Sequence, residues 1–255
     1  MVALLALLNE HGQLSLTYLA DKLGASAATI RRDVAQLASQ GLLERTHGGA
    51  GPARGTHEIP VRLRGGRHHD AKQRIAVHVA TLIPAGKHAI GLTGGTTTAE
   101  VLRALKHRDD LTIITNSLSI GLEAAEQGQS RVLIAGGVLR SSSLELVGSL
   151  AETTMKLVNV GTAVVGADGI TVDGGLTTHD EVEARTNHFM IERAQRVIAA
   201  IDSSKIGLVT LAKMVDLKDI DLLVTDSGAT DEQLRRIRAA GVEVHVVDVP
   251  TPTAD

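Results

Sequence analysis

The chain has 255 residues, a length that suits one small and one medium-sized domain, and a formal net charge of −3 at pH 7. It contains no cysteine, which excludes disulfide bonds, cysteine-ligated metals and cysteine nucleophiles. Aromatic residues make up 1 % of the chain, which argues against binding single-stranded nucleic acid by base stacking. Neither a signal peptide nor a membrane span is recognisable, so we expect a cytoplasmic protein.

Positive charge is concentrated towards the N-terminus. Up to Arg67, eight Lys or Arg residues stand against five Asp or Glu, which gives +3, whereas the remainder carries −6. A basic end on an acidic body is typical of a protein that binds nucleic acid through that end.

Residues 1–52 are predicted to form three short helices and a β-wing. The predicted helices are Val2–Glu10, Thr17–Leu23 and Ala27–Gln40. A glycine follows each helix, and the third helix ends at Gly41. Ser26 is placed to cap the start of the third helix. On this third helix Ile30, Val34 and Leu37 share one side. The segment LLERTHGGA that follows has two short extended pieces around a polar tip, as a wing would.

The second and third helices match a helix-turn-helix, which inserts the start of its second helix into the major groove. Arg32 can pair bidentately with guanine, and Thr29 can contact a thymine methyl group or a phosphate. Arg31, Arg45 and His47 are placed to contact phosphates. A plain three-helix bundle with a charged face is the alternative. The basic pair near the helix start and the glycine-rich wing favour DNA binding.

The rest of the chain is predicted to be a linker and an α/β domain. Residues 53–70 combine Gly, Pro, Arg and His with little periodicity, as linkers do. Over residues 71–255 strands and helices alternate, which indicates a mostly parallel sheet covered on both faces. The candidate strands are Ala89–Leu92, Thr112–Thr115, Arg131–Ala135, Ala163–Gly166, Val197–Ile201, Leu222–Thr225 and Glu243–Val247.

A loop rich in glycine and threonine follows the first of these strands, in IGLTGGTTTAEVLRAL. Gly94 and Gly95 let a ligand approach the backbone, while Thr96, Thr97 and Thr98 open a helix whose N–H groups attract phosphate. The absence of a following Lys excludes a P-loop. A tight turn with a threonine cap is an equally good interpretation of this segment taken alone.

Polar or glycine-rich turns also follow other strands of the predicted sheet. In open parallel sheets, ligands bind outside the carboxyl ends of the strands. Together these turns favour a polyol phosphate as the ligand. The candidate residues in them are Asn116, Ser117, Gly136, Gly137 and Asp168.

Several segments are specific enough to indicate a family. They are LADKLGASAATIRRDVAQLASQGLLERTHGGA in the first part and TGGTTTAEV, TNSLSI, AGGVLRSSSLELVG, GADGI, GGLTT and DSSKIG in the second. With these segments the chain resembles the DeoR/GlpR family of bacterial transcriptional repressors over nearly its whole length. The resemblance implies that Ser26, Thr29, Arg31 and Arg32 lie on the recognition helix of an N-terminal all-α, winged helix-turn-helix domain. It also implies a C-terminal sugar-phosphate-binding α/β domain related to ribose-5-phosphate isomerase.

The same resemblance extends the candidate effector site. It adds Thr177, Thr178 and Glu183, together with Asn187, where many family members carry a Lys. Asn can bond a ligand but brings no charge. Lys72 and Lys205 are candidate phosphate partners, although each could also be a solvated surface lysine.

The resemblance favours binding over catalysis. The related isomerases use acidic residues and a Lys near GADGI and DGGLTT. Here Asp168 is present, but Thr171 replaces a second Asp and ITVDGGLTT contains no Lys. Proton transfer between neighbouring carbons needs a positioned base and a partner acid. We therefore expect no catalytic residue, no cofactor and no metal site, and interpret His68-His69 as a solvated pair.

The sequence predicts a DNA-binding transcriptional repressor of a carbohydrate-catabolism operon, controlled by a phosphorylated sugar or polyol. It would bind double-stranded operator DNA as a dimer or tetramer. A sugar-phosphate isomerase or deaminase with an accessory DNA-binding domain is the main alternative. An effector-independent DNA binder is the third.

Overall fold

The computed structural model describes residues 1–39, 42–52, 58–66, 68–128 and 131–249. The chain divides into two compact units, Met1–Arg67 and His68–Asp255. The end of the third predicted helix, at Gln40 and Gly41, lies outside the described residues, as do residues 53–57 of the predicted linker.

Among its described residues, the N-terminal unit contains three α-helices and a small antiparallel sheet. They are α1 (Val2–His11), β1 (Leu14–Ser15), α2 (Leu16–Leu23), α3 (Ala27–Ser39), β2 (Leu43–Thr46) and β3 (Gly49–Pro52). The strand order is β1-β3-β2, and the β2–β3 hairpin is the wing. The predicted first and second helices and the wing are confirmed, and the third helix is confirmed as far as Ser39.

An apolar core joins the three helices of this unit. The predicted apolar side of α3, formed by Ile30, Val34 and Leu37, is buried, and it belongs to one cluster with Leu8 and Leu19. Burying such a side chain contributes about 1.5–3 kcal/mol. Because packing fixes one side of α3, the opposite side is left for contacts with other molecules.

Part of the predicted linker 53–70 belongs to the compact units. Val61–Leu63 forms a short 3₁₀ helix, and Ile59 and Leu63 pack against the core of the N-terminal unit. At the other end, His69 and Asp70 begin a helix of the second unit. The apolar residues at alternate positions in EIPVRL, rather than the Gly and Pro content, decide the local structure here.

In the described residues, the second unit is built on a seven-stranded parallel sheet. The order is β15-β14-β12-β9-β4-β5-β6. All seven candidate strands are confirmed, although four of them begin earlier than predicted, at His88, Leu111, Val160 and Ala194. The strands are β4 (His88–Leu92), β5 (Leu111–Thr115), β6 (Arg131–Ile134), β9 (Val160–Val165), β12 (Ala194–Ala200), β14 (Leu222–Asp226) and β15 (Glu243–Val247).

Helices cover both faces of this sheet. The helices are α4 (His69–Thr81), α5 (Thr96–Ala104), α6 (Leu118–Glu126), α7 (Ser149–Lys156), α8 (Glu181–Glu192) and α9 (Asp231–Ala239). Successive residues of β12 alternate between two separate apolar clusters, one that includes α4, α5 and α6 and one that includes α7, α8 and α9. This is the α/β architecture that the alternating pattern predicts.

Two further small sheets were not predicted from the sequence. One is antiparallel and joins β10 (Gly169–Thr171), β11 (Gly175–Thr178) and β13 (Ala212–Val215). The other is a hairpin of β7 (Val138–Arg140) and β8 (Glu145–Val147). Every helix in the described part of the chain is too short or too polar to cross a lipid bilayer.

Candidate functional site

The start of α3 is held by its own side chains. The Oγ of Ser26 accepts a hydrogen bond from the backbone N–H of Thr29 at 3.1 Å and lies 2.9 Å from the Oγ1 of the same residue. This is the N-cap geometry that the sequence predicts, and it fixes the first turn of the helix.

The six predicted DNA contacts are all exposed. Ser26 and Thr29 lie at the start of α3, and Arg31 and Arg32 follow on the same helix. The remaining two belong to the wing, Arg45 in β2 and His47 in the turn. Guanidinium groups stay protonated under all ordinary conditions, so this unit presents three permanent positive charges on α3 and the wing.

The glycine–threonine loop connects β4 to α5 at the carboxyl end of the sheet. Gly95 has a φ of 129°, a conformation that favours glycine, and α5 begins directly after it. The Oγ1 of Thr98 donates to the carbonyl of Gly95 at 3.0 Å, and Thr97 and Thr98 are buried. The loop is thus an ordered turn at a helix start, where the dipole favours anions.

A chain of buried polar groups leads away from this loop. The backbone N–H of Gly94 donates to the Oε1 of Glu145 at 2.5 Å, and the Nδ2 of Asn187 lies 3.4 Å from that oxygen. The Oδ1 of Asn187 accepts from the Nδ2 of Asn116 at 2.8 Å. The other amide atom of Asn116, its Oδ1, is buried and has no hydrogen-bond partner among the described residues.

A second group of contacts surrounds Glu183, near the start of α8. The Oγ1 of Thr178 donates to Glu183 at 2.6 Å and lies 3.3 Å from the Oδ2 of Asp168. Arg140, on the β7–β8 hairpin, pairs with Glu183 at 3.1 Å. The Nζ of Lys205 is 3.7 Å from the Oδ1 of Asp168. The two buried carboxylates of this group therefore each have a cationic partner.

The two groups meet through a pair of carboxyls. Complete burial raises the pKa of Glu145 well above its ordinary value, and the charge of the neighbouring Glu183 raises it further. Glu183 has Arg140 beside it. Burial and the neighbouring carboxylate together favour the neutral acid form of Glu145.

The structure joins seven of the predicted effector residues in this one network, which we call the polar cluster. They are Gly94, Asn116, Asp168, Thr178, Glu183, Asn187 and Lys205. Arg140 and Glu145, which the sequence analysis did not identify, complete the polar cluster. No local pattern marks them, because both act only after the hairpin folds back to the sheet edge.

Other predicted residues have structural partners instead. Ser117 caps α6, and the Oγ1 of Thr177 bonds the carbonyl of Gly169 and the backbone N–H of Thr210. A side chain at Gly137 would collide with the backbone of Val147, so that glycine allows the hairpin to close, while Gly136 faces open space.

The structure also distinguishes the two candidate lysines. The side chain of Lys72, in α4, is 5 % exposed, so the interpretation as a solvated surface lysine is wrong for it. Lys205 is partly exposed and belongs to the polar cluster.

The polar cluster offers amide, hydroxyl, carboxyl and ammonium groups close together, the set that suits a ligand rich in hydroxyls. In the described part of the chain, no group of three His, Cys, Asp or Glu side chains could hold a metal ion.

Comparison with known proteins gives matches over both units. Residues 2–54 match the model of the DeoR-like helix-turn-helix domain, and residues 67–227 match that of the DeoR C terminal sensor domain. The putative aga operon transcriptional repressor of Escherichia coli O157:H7 is 33 % identical over 94 % of this chain and 90 % of its own. The transcriptional regulator GlpR of Haloferax volcanii is 34 % identical over 93 % of both chains. The glycerol-3-phosphate regulon repressor of Escherichia coli K12 is 31 % identical over 88 % of both.

Among solved structures, ribose 5-phosphate isomerase A of Methanocaldococcus jannaschii is similar over 54 % of each chain, with a TM-score of 0.42 and 18 % identity.

Proposed function

This chain belongs to the DeoR family of DNA-binding transcriptional regulators, and from that premise we propose that it represses a carbohydrate-catabolism operon under the control of a phosphorylated sugar or polyol. The family consists of regulators rather than enzymes. Among the relatives, one is named for the glycerol-3-phosphate regulon and another for the aga operon, which supports a small phosphorylated metabolite as the signal.

The DNA-binding half of the proposal is supported by the exposed residues of α3 and the wing. The start of α3 would enter the major groove, where Arg32 pairs with guanine and Thr29 contacts a thymine methyl group or a phosphate. Arg31, Arg45 and His47 would contact phosphates and make affinity depend on salt. The cap at Ser26 holds the first turn in shape before DNA arrives, so little ordering is needed on binding.

The effector half rests on one observation above all, the polar cluster at the carboxyl ends of the parallel strands. Within it, the unpartnered Oδ1 of Asn116 is buried. Leaving such an atom without a hydrogen bond costs about 1–3 kcal/mol. A hydroxyl of the effector would donate to it and remove that cost.

The remaining groups of the polar cluster suit the other parts of a sugar phosphate. The carboxylate of Asp168 would accept from hydroxyls of the sugar. The phosphoryl group would bind at the start of α5, beside Thr96 and Thr97, with Lys72 and Lys205 as cationic partners.

The protein would act in the cytoplasm as a homo-oligomer. A dimer or tetramer reads paired half-sites on an operator. The effector would bind the state with low DNA affinity more tightly, because a ligand with equal affinity for both states shifts no equilibrium.

The test uses the full chain and a labelled duplex from upstream of its own gene, with binding followed by fluorescence anisotropy. We expect binding that weakens with salt and with at least one of a set of sugar and polyol phosphates. Asp168→Asn should bind DNA normally and lose the response, while the exposed Asp173→Asn serves as the matched control. No binding at low ionic strength by the folded protein would overturn the proposal, and no response to any phosphate would overturn its effector half.

A further inference from the structure

The place of an effector at the Gly94 loop is filled by a side chain of the protein itself. Glu145 is 2 % exposed, and its Oε1 accepts from the N–H of Gly94 at 2.5 Å. A Cβ built on Gly94 would lie 2.5 Å from both the Cγ and the Oε1 of Glu145. The carboxyl group therefore lies directly over the glycine whose lack of a side chain would admit a ligand.

The carboxyl group and an effector phosphoryl group need the same partners. Both present oxygen atoms that accept hydrogen bonds from backbone N–H groups, and the charged phosphoryl oxygens form the stronger, charge-assisted bonds. The amide of Asn187, which lies 3.4 and 3.5 Å from the two oxygens of Glu145, is a second donor that both could use. The carboxyl group of Glu145 must therefore leave before a phosphoryl group can bind.

We propose that Glu145 is an internal ligand of the Gly94 loop, which the effector must displace, and that it thereby selects phosphorylated over free sugars. This inference rests on the proposed function, because it concerns the same effector site. A neutral sugar offers only hydroxyls in exchange for the bond to Gly94, whereas a phosphoryl group offers charged oxygens. Glu145 is thus a specificity-determining residue.

The local structure allows the side chain to leave while the strand stays in place. The backbone of β8 is bonded to the segment before α6, with the N–H of Leu146 donating to Asn116 at 2.7 Å. The N–H of Leu118 in turn donates to Leu144 at 2.9 Å. Rotation of the Glu145 side chain breaks neither bond.

The electrostatics of the site favour release. Burial and the charge of Glu183 raise the pKa of Glu145, so the carboxyl is held inside as a neutral acid. Once it reaches water, its pKa returns to the ordinary range, so the carboxyl is ionised at neutral pH. That ionisation adds to the driving force for displacement.

The experiment compares variants of the full chain by calorimetric titration with inorganic phosphate, glycerol 3-phosphate and a set of hexose 6-phosphates, each beside its unphosphorylated form. Glu145→Ala removes the competing group and should bind phosphates about tenfold more tightly, the equivalent of one charge-assisted hydrogen bond. Glu145→Gln keeps an acceptor for Gly94 but cannot ionise on release, so it should show no gain in phosphate affinity. Glu192→Gln, an exposed position on α8, is the matched control.

Two further readouts keep the test decisive. Glu145→Asp has a shorter reach and should also gain affinity, which covers the case in which Glu145→Ala fails to fold. In both variants the preference for phosphorylated over free sugars should fall. Weaker or unchanged phosphate binding by the folded variants would overturn the inference and leave the proposed function standing. If no protein, the wild type included, binds any phosphate, both the inference and the effector half of the proposed function are overturned.

Discussion

The candidate DNA contacts of the first unit and the polar cluster of the second unit differ in how their residues are assembled. The candidate DNA contacts fall within residues 26–47 and are all exposed. The polar cluster draws on residues 94–205, and most of its members are buried. A surface that binds a long polyanion needs exposed charge and a rigid support, whereas a pocket for a small metabolite needs enclosure. Apart from Ser26, which caps α3, residues of the first kind should be replaceable without loss of stability, and those of the second should not.

The largest expected effect is on stability in the polar cluster. Glu183→Ala removes the buried partner of Arg140 and Thr178 and should lower the free energy of unfolding by about 3 kcal/mol. Urea denaturation of the full chain measures it. Glu181→Ala, an exposed change on the same helix, should have little effect. Equal losses of unfolding free energy in the two variants would contradict the structural role assigned to the polar cluster.

The next effect concerns DNA affinity alone. Arg32→Ala should weaken operator binding by about 1–3 kcal/mol and relax the preference at one base position, because a bidentate contact is lost. Its unfolding free energy should remain that of the wild type, since Arg32 is exposed. Anisotropy titrations against a set of single-base operator variants measure the change. Arg62→Ala, which removes an exposed charge outside α3 and the wing, is the control. A similar loss of DNA affinity in Arg62→Ala would mean that Arg32 contributes only through its charge.

A smaller effect on stability is expected at Ser26, because this residue has a structural as well as a predicted DNA-binding role. Ser26→Ala removes the cap of α3 and should lower stability by about 1 kcal/mol. Thermal unfolding monitored by circular dichroism, with Ser39→Ala at the other end of the helix as reference, measures it. Unchanged stability would mean that Ser26 contributes only through DNA.

The smallest effect is expected at the wing. Arg45→Ala should reduce DNA affinity evenly across sequences and lower the salt dependence of log K by about 0.9, since one phosphate contact is lost. Titrations at several salt concentrations give this slope. A change in base preference instead would assign Arg45 a contact with a base.

The sequence predicts the frame of the molecule better than the polar cluster. The parallel strands are short and mostly apolar, and α3 shows its buried side through Ile30, Val34 and Leu37, so local patterns suffice. Glu145 carries no such signal: it reaches Gly94 across 51 positions of sequence through a hairpin that the local pattern does not reveal. Within the predicted linker, Ile59 and Leu63 pack against the core of the N-terminal unit, which the composition of this segment does not reveal.

If one chain couples DNA binding to metabolite binding, each ligand must change the affinity for the other. Effector affinity is measured by calorimetry with and without saturating operator duplex, and DNA affinity with and without saturating effector. We expect each ligand to weaken the binding of the other by the same factor, as thermodynamic linkage requires. Effector affinity that is identical in the presence and absence of DNA would contradict it.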